Sequence, residues 1–197
     1  MHPLTLNWQN STDIPPRKFT CGYCGNLVGP NKGYPETSTG THLIHICSYC
    51  ARPTYVDPDT GKQYPGARFG EEVAHLPSVE IQTLYGEARD CMSVSAYTAA
   101  VLTARKVLMH VAVDQGASEN QSFIKYVEYL MEKNLIPANA RGWVDHIRAK
   151  ANEANHEIVL MTQDEAEGLI EFTAMLLRNV YELPARVPKP KGVEIVG

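Results

Sequence analysis

The sequence predicts a mainly α protein, in which a bundle of about five helices follows a small β-rich module with two pairs of cysteines. Up to about residue 70 the chain is rich in Gly, Pro, Thr and Tyr. Turn signals in this part, such as GPNKG and DPDTGK, are typical of short strands and loops. After Pro77 the apolar residues recur at helical spacing. The change of pattern indicates two structurally different parts.

Four segments follow from this division. Residues 1–16 are an N-terminal extension, residues 17–70 the cysteine module, residues 71–185 the helical domain, and residues 186–197 a tail rich in proline and lysine. The alternating prolines of the tail cannot continue a helix.

Composition and charge restrict the class of protein. The chain has 197 residues, of which 44% are hydrophobic and 20% charged, as in soluble globular proteins. It shows no apolar core of signal-peptide length near its start and no run near the roughly 18 apolar residues of a membrane span. We therefore expect a cytoplasmic, reducing location, where paired cysteines bind metal. Residues 71–185 carry 9 Lys and Arg against 17 Asp and Glu, which argues against a broad nucleic-acid surface there.

Five helical segments are predicted in the second part. The first is short, around VEIQTLYGEARD, and the second, about Ser93 to Asp114, is apolar on nearly every side and should be central and buried. The third is the amphipathic SFIKYVEYLMEKN, and the fourth runs from about Ala140 to Glu157. The fifth begins at a capping box of Thr162 and Glu165 and stops at Pro184.

The cysteines predict a metal site. Cys21 and Cys24 form one C-x2-C pair, and Cys47 and Cys50 form another after 22 residues. Two residues between cysteines let one tight turn direct both sulfurs at one ion, and two such turns complete a tetrahedral zinc site. Because four sulfurs leave no open position, this zinc should be structural. Cys91 stands alone and is most simply a small buried hydrophobe.

Two questions stay open at this module. His42 and His45 could ligate in principle, but four cysteines already fill the shell, so they are better explained as strand residues. A zinc ribbon alone does not identify a partner, since it can bind nucleic acid, bind protein or only stabilise a small fold.

A polar stripe lies on the fourth predicted helix. Arg148, Asn152 and His156 are four residues apart in turn and would stand one above another. Three further polar residues fall on the same side, namely Arg141, Asp145 and Asn155. The stripe flanks the apolar face, where a groove or a partner helix would lie.

These residue types suit phosphodiester chemistry. A neutral imidazole can remove a proton from a ribose 2′-hydroxyl, and a guanidinium can hold the phosphate. An asparagine amide can donate to a phosphate oxygen or fix the orientation of the imidazole. No acidic cluster indicates a Mg²⁺ site, so metal-independent attack by the 2′-hydroxyl, restricted to RNA, is the natural reaction. From spacing alone, capping or pairing with neighbours such as Asp145 stays open as the alternative.

Three stretches resemble a known family. LYGEARDCMSVSAYTAAVLTARKVLMHVAVDQGA, IRAKANEANHEI and EAEGLIEFTAMLLRNVYELP together resemble bacterial HEPN-type helical domains, in a subgroup without an assigned function that often follows a cysteine ribbon. The match covers most of residues 71–185 in order. It implies a helical bundle that dimerises across the polar helix. It also implies metal-independent RNase activity through an Arg-x4-6-His motif, in toxin–antitoxin or anti-phage systems.

The resemblance also implies roles for individual residues. His156 would be the base or acid, Arg148 the phosphate-holding charge and Asn152 the orienting amide. Beyond what the resemblance implies, Asn155 of the same stripe is a candidate supporting residue. Arg105 on the second helix is a further candidate phosphate ligand, with a salt bridge as the alternative. The combination with a ribbon resembles the ring-activated zinc-finger RNases of phage defence, in which a ring-shaped phage protein is the activator.

The spacing of the arginine departs from the family pattern. Arg148 and His156 have seven residues between them, whereas Arg141 and His146 fit the rule with four. Around a helix, however, Arg148 and His156 lie about 80° apart and Arg141 and His146 about 140° apart. Which arginine serves His156 stays open.

The sequence therefore favours a zinc-ribbon endoribonuclease that acts as a homodimer or larger ring once a partner triggers it. One alternative is a non-catalytic module in which ribbon and bundle bind a partner. The other is a zinc-ribbon nucleic-acid-binding protein with a helical dimerisation domain.

Overall fold

The computed structural model describes residues 6–137, 142 and 160–187. Within them the chain separates into two compact units. The first, here called the ribbon unit, consists of residues 6–69 together with Arg89–Ala96. The second, the helical unit, consists of Gly70–Ala88 and the described residues from Tyr97 onward. The chain thus visits the ribbon unit twice.

The ribbon unit is built from seven short strands. Their bounds are β1 Thr12–Asp13, β2 Phe19–Thr20, β3 Leu27–Val28, β4 Lys32–Pro35, β5 Leu43–Ile46, β6 Pro53–Val56 and β7 Gln63–Tyr64. All pairs are antiparallel. Five strands form one sheet in the order β1-β4-β5-β6-β7, and β2 and β3 form a separate hairpin. The predicted texture of short strands and turns is confirmed.

The register of the sheet sorts its side chains into two rows. Gly33, His45 and Thr54 are opposite one another on β4, β5 and β6 and are buried. One residue along, Tyr34, Ile44, Tyr55 and Tyr64 form a row on the other face, where all four are partly or fully exposed; we call it the aromatic row. Since side chains alternate along a strand, a slip of one residue would exchange the two rows.

Four long helices lie in the described residues. They are α1 Val79–Ser93, α2 Tyr97–Asp114, α3 Phe123–Glu132 and α4 Gln163–Leu177, and a π-helical turn, Arg178–Glu182, then leads into a short α5, Leu183–Arg186. The structure therefore combines a small antiparallel sheet with a larger helical part. None of the helices in these ranges is long and apolar enough to cross a bilayer.

Helix α2 packs against α3 and α4 and forms the centre of the helical unit. Seven of its residues are buried: Ala100, Val101, Ala104, Val107, Leu108, Val111 and Ala112. The predicted central position of α2 is confirmed, but one side of the helix faces outward, because Lys106 and His110 are exposed and Leu102 is 58% exposed. Apolar composition alone did not distinguish the outer face of this helix from its core face.

The break between α1 and α2 lies later than the sequence predicts. α1 continues to Ser93, and α2 begins only at Tyr97. Between them Ser95 has a φ of 60°, the left-handed position that commonly ends a helix. The Ala96 amide donates to the Cys91 carbonyl at 2.9 Å, which closes the end of α1. A serine at a position that glycine usually occupies gave no signal in the sequence.

The start of α4 is confirmed, whereas its end differs from the prediction. The Thr162 hydroxyl accepts from the Glu165 amide, and the Glu165 carboxylate accepts from the Thr162 amide at 2.8 Å, as a capping box requires. The α-helix ends earlier, at Leu177, and helical backbone of other types then continues past Pro184 to Arg186. The Leu183 amide instead donates to the Arg178 carbonyl across the π-helical turn, and Pro184 lies in the first turn of α5, where its missing N–H costs little.

The predicted fourth helix, about Ala140 to Glu157, lies outside the described residues except for Gly142, and so does the tail from residue 188.

Candidate functional site

Two similar turns present the four cysteines of the ribbon unit. In the first, which follows β2, the Cys21 amide donates to the Asn26 carbonyl at 2.9 Å and the Gly25 amide to the Cys21 carbonyl at 2.8 Å. In the second, which follows β5, the Cys47 amide donates to the Arg52 carbonyl and the Ala51 amide to the Cys47 carbonyl, both at 2.9 Å. We call these turns the two knuckles. Each directs two sulfurs to the same side.

The sulfur positions fit a tetrahedral metal site. The Sγ atoms of Cys21 and Cys50 are 3.8 Å apart, those of Cys24 and Cys47 are 3.9 Å apart, and all four lie within 4.8 Å of one another. With Zn–S bonds of about 2.3 Å, the edge of a tetrahedron of sulfurs is about 3.8 Å. The four cysteines are therefore placed to bind one metal ion, as the sequence predicts, and their thiolates are the donors that zinc favours.

The pKa values of the four thiols reflect their burial and their closeness to one another. Burial, together with the neighbouring thiols, raises the pKa of Cys50 to about 12, and burial raises that of Cys21. Burial acts in the same direction on Cys24, but hydrogen bonds from Asn26 and from the other thiols outweigh it and lower this pKa to about 7. Four adjacent thiolates repel one another, and a divalent cation between them removes that repulsion.

The cysteine centre is enclosed. Cys21, Cys47 and Cys50 are buried and pack with Phe19 and Val28 of the β2–β3 hairpin. In the described ranges the group of ligating side chains close enough to hold a metal consists of the four cysteines alone. A tetrahedral ion held by all four has no free coordination position, which fits a structural role.

The two nearby histidines make other contacts. The ring of His45 donates through Nε2 to the Pro15 carbonyl at 3.2 Å and meets Phe19 edge-on with ring centroids 6.0 Å apart. His42 pairs through Nδ1 with the Tyr55 hydroxyl at 2.7 Å. His45 lies on β5 and His42 directly precedes it.

Arg105 of α2 is the described member of the predicted ribonuclease site. Its guanidinium lies over the ring of Phe123, 4.3 Å from the centroid, and burial lowers its pKa. No carboxylate among the described residues forms an ion pair with it. The salt bridge that was the alternative interpretation of Arg105 is thus not formed with that part of the chain.

The remaining candidates lie outside the described residues. They are Arg141, Arg148, Asn152, Asn155 and His156. Their positions relative to Arg105 and to one another stay predictions.

A charged cluster in the helical unit was missed by sequence reasoning. The Glu182 carboxylate is buried at the end of the π-helical turn, accepts from the Ala74 amide at 3.0 Å and pairs with Arg178 and Arg186. Arg178 also pairs with Glu71. A cavity of about 500 Å³ adjoins this cluster. Its only sequence signal is the i, i+4 spacing of Arg178, Glu182 and Arg186, which is common on solvated helices.

Comparison with known proteins identifies a family for this chain. A family model described as "Domain of unknown function (DUF4145)" matches residues 86–193, more than half of the chain. Neither the curated proteins nor the solved structures contain a match.

Proposed function

The chain belongs to the DUF4145 family, and on that premise we propose that it is a metal-independent endoribonuclease of a bacterial anti-phage, abortive-infection system. The helical unit, with the predicted fourth helix, is then a HEPN-type bundle. The ribbon holds a structural zinc and helps to sense an activating protein partner. The enzyme acts as a homodimer or a larger ring.

The observation that carries the proposal is the spacing of Arg148, Asn152 and His156 within the matched family region. In this mechanism His156 takes the proton of a ribose 2′-hydroxyl, whose oxygen attacks the adjacent phosphorus. The bond to the 5′-oxygen breaks, the leaving oxygen receives a proton, and a 2′,3′-cyclic phosphate and a 5′-hydroxyl result. Arg148 offsets the negative charge of the phosphorane-like transition state, and Asn152 orients the imidazole.

Arg105 supports the assignment from within the described structure. A half-buried guanidinium without a carboxylate partner among the described residues retains its charge for an external anion. Phe123 holds one face of the guanidinium, so that its N–H groups stay free to point sideways. A phosphate of the RNA is the ligand that this chemistry fits.

Regulation by assembly follows from the same proposal. General acid–base cleavage needs one group to accept a proton and another to donate one, and two copies of His156 facing each other across a dimer supply both. The acidic helical part, with 9 Lys and Arg against 17 Asp and Glu in residues 71–185, attracts RNA poorly by itself. Such an enzyme is weak until a trigger brings the histidines together.

The test compares RNA cleavage by the wild type, His156→Ala and Arg148→Ala in Mg²⁺-free buffer, with and without a candidate ring-shaped phage protein. Activated wild type should produce fragments with 2′,3′-cyclic phosphate ends, and both variants should lose most of this activity. Lys150→Ala, on the opposite side of the same predicted helix from Arg141 and Arg148, is the matched control and should cleave normally. Intact RNA with activated wild type, or equal cleavage by all variants, would refute the enzyme. Cleavage of DNA would refute the 2′-hydroxyl mechanism.

The same assay assigns the arginine. If Arg148 serves His156, Arg141→Ala keeps most of the cleavage that Arg148→Ala loses. The reverse result would place Arg141, whose four-residue spacing to His146 fits the family rule, at the phosphate.

A second candidate function is a non-catalytic interaction module. It is favoured by the aromatic row, in which Tyr55 and Tyr64 stack with ring centroids 6.2 Å apart and Ile44 and Tyr64 are exposed. Tyrosine-rich exposed patches are typical of protein interfaces. In this case a partner protein docks on the sheet, and substitution of His156 leaves phage defence intact.

A further inference from the structure

Each knuckle exposes a tyrosine at the same position. Tyr23 precedes the second cysteine of CGYC and is 37% exposed, and Tyr49 precedes the second cysteine of CSYC and is 48% exposed. Of the surrounding cysteines, Cys21, Cys47 and Cys50 are buried and Cys24 is partly buried, so each ring projects from a turn that is anchored in the core of the unit. An aromatic face offered in this way loses little conformational freedom when another flat group stacks on it.

A guanidinium is stacked on one of these rings. The Arg52 guanidinium lies over Tyr23, 5.0 Å from the ring centroid. No carboxylate in the described ranges pairs with Arg52, nor with Arg17 or Lys18 ahead of the β2–β3 hairpin. Stacked in this way, Arg52 keeps its N–H groups available for a phosphate.

The charge around the knuckles has one sign. Residues 14–30 and 46–53, which contain both knuckles, carry Arg17, Lys18 and Arg52 but no Asp or Glu. A divalent ion with four thiolates would add two formal negative charges, and the three cations more than offset them. A polyanion therefore meets a net positive charge at the knuckles.

Acidic side chains lie near the aromatic row, in contrast to the knuckles. Burial, together with the charges of Asp57 and Asp59, raises the pKa of the Tyr55 hydroxyl. Hydrogen bonds from Ser38 and Thr39 lower the pKa of Glu36 to about 2, so that this carboxylate also stays ionised. Exposed tyrosines thus occur on both surfaces. Asp57 and Asp59 act on the aromatic row through Tyr55, whereas the stretches 14–30 and 46–53 around the knuckle tyrosines contain no acidic residue.

We propose that the two knuckles bind single-stranded RNA, with bases stacked on Tyr23 and Tyr49 and phosphates held by Arg52, Arg17 and Lys18. Single strands are favoured because a duplex keeps its bases stacked inside, whereas unpaired bases can lie on aromatic and guanidinium planes. This inference rests on the proposed ribonuclease for the choice of RNA as the natural ligand. It gives the ribbon a direct role in holding the substrate.

The test measures binding of a fluorescein-labelled oligouridylate of about twelve nucleotides by fluorescence anisotropy, at rising salt. The full-length chain carries His156→Ala throughout, so that RNA stays intact. Tyr23→Leu and Arg52→Ala should each weaken binding at least about fivefold, while Tyr23→Phe should bind like the parent. The salt dependence should become weaker in Arg52→Ala, because one phosphate contact is lost.

The matched control is Tyr64→Leu. Tyr64 is 49% exposed and carries the ammonium of Lys62 5.6 Å from its ring centroid, so it repeats the pair of a tyrosine and a cation on the aromatic row. We expect its affinity within about twofold of the parent. Zinc content of each variant shows that the knuckles remain folded.

Three outcomes would overturn the proposal. One is that the parent does not bind the oligonucleotide. Another is that Tyr23→Leu and Arg52→Ala bind as the parent does, which would leave the knuckles to a protein partner. The last is that Tyr64→Leu weakens binding as much as Tyr23→Leu.

An oligothymidylate of the same length separates this inference from the proposed enzyme, since DNA has no 2′-hydroxyl. If the knuckle variants weaken binding of both oligonucleotides but activated wild type never cleaves RNA, the inference stands and the enzyme is refuted. If cleavage is observed but binding is insensitive to the knuckle variants, the enzyme stands and the inference is refuted.

Discussion

At the scale of single residues, the two knuckles differ at one backbone position. Gly25 has a φ of 71° and Ala51 a φ of 55° at equivalent places in the two turns. Left-handed backbone suits glycine and costs alanine roughly 1 kcal/mol. The second knuckle therefore carries a small strain that the first avoids.

This difference predicts opposite effects of two exchanges. Ala51→Gly should raise the free energy of unfolding by about 0.5–1 kcal/mol, and Gly25→Ala should lower it by about 1 kcal/mol. A Cβ at Gly25 meets no atom within 4 Å, so the cost comes from the backbone alone. Thermal unfolding of the zinc-loaded protein measures both changes. Equal effects of the same sign would contradict the explanation.

Arg105 provides a second prediction at this scale, and it depends on the proposed enzyme. Arg105→Gln should lower kcat/KM for RNA cleavage on the order of a hundredfold, because the amide supplies no charge to the phosphate. Phe123→Leu, which removes the aromatic face beneath the guanidinium but keeps an apolar side chain in the core, is the control and should have a much smaller effect. An unchanged rate in Arg105→Gln would leave Arg105 with a packing role.

At the scale of elements, the π-helical turn brings together charged side chains of the chain segments on either side of it. The turn from Arg178 to Glu182 and the first turn of α5 place two arginines at one buried carboxylate. Regular spacing alone would not predict that Glu182 is the most buried charge of this cluster.

We expect Glu182→Gln to lower the free energy of unfolding by about 1–3 kcal/mol. The substitution leaves Arg178 and Arg186 without their shared charge and weakens acceptance from the Ala74 amide. Glu71→Gln tests an ion pair with Arg178 in which the glutamate is largely exposed, and its cost should be within about 1 kcal/mol. Chemical denaturation of both variants measures the two free energies of unfolding. Equal losses of stability would contradict a special role for the buried Glu182 carboxylate.

The comparison of sequence and structure is also clearest at this scale. The cysteine centre, α3 and the capping box at Thr162 were predictable because each depends on residues close together in the chain. The aromatic row was not, because it depends on the register of four strands. Ser95 and the π-helical turn were missed because their residues favour no such backbone. The polar stripe was predicted from periodicity, and Arg105 from its place on the central helix. Their joint function stays a prediction.

At the scale of the whole molecule, the metal should stabilise one unit much more than the other. The ribbon unit has short strands and a small core around its cysteines, whereas the helical unit has an extensive apolar core on α2 and α4. Small modules of this kind depend on their ion. Chelation should therefore abolish the near-ultraviolet tyrosine signal of the ribbon and leave most of the far-ultraviolet helical signal.

Metal analysis provides the matched pair of variants. The wild type should contain one zinc per chain, Cys50→Ser should lose it, and Cys91→Ser should retain it, because Cys91 lies outside the group of four. No zinc in the wild type, or equal loss in both variants, would refute the site.

The return of the chain to the ribbon unit at Arg89–Ala96 restricts how this protein can evolve. A gene segment that ends at residue 70 omits Asp90, which pairs with Arg68, and Ser93, whose backbone lies against Gly66. A recombination event that transplants a complete ribbon must extend to residue 96 and so carries α1 with it. The two units are therefore expected to be inherited together, and natural shuffling of the ribbon alone should leave an incomplete module.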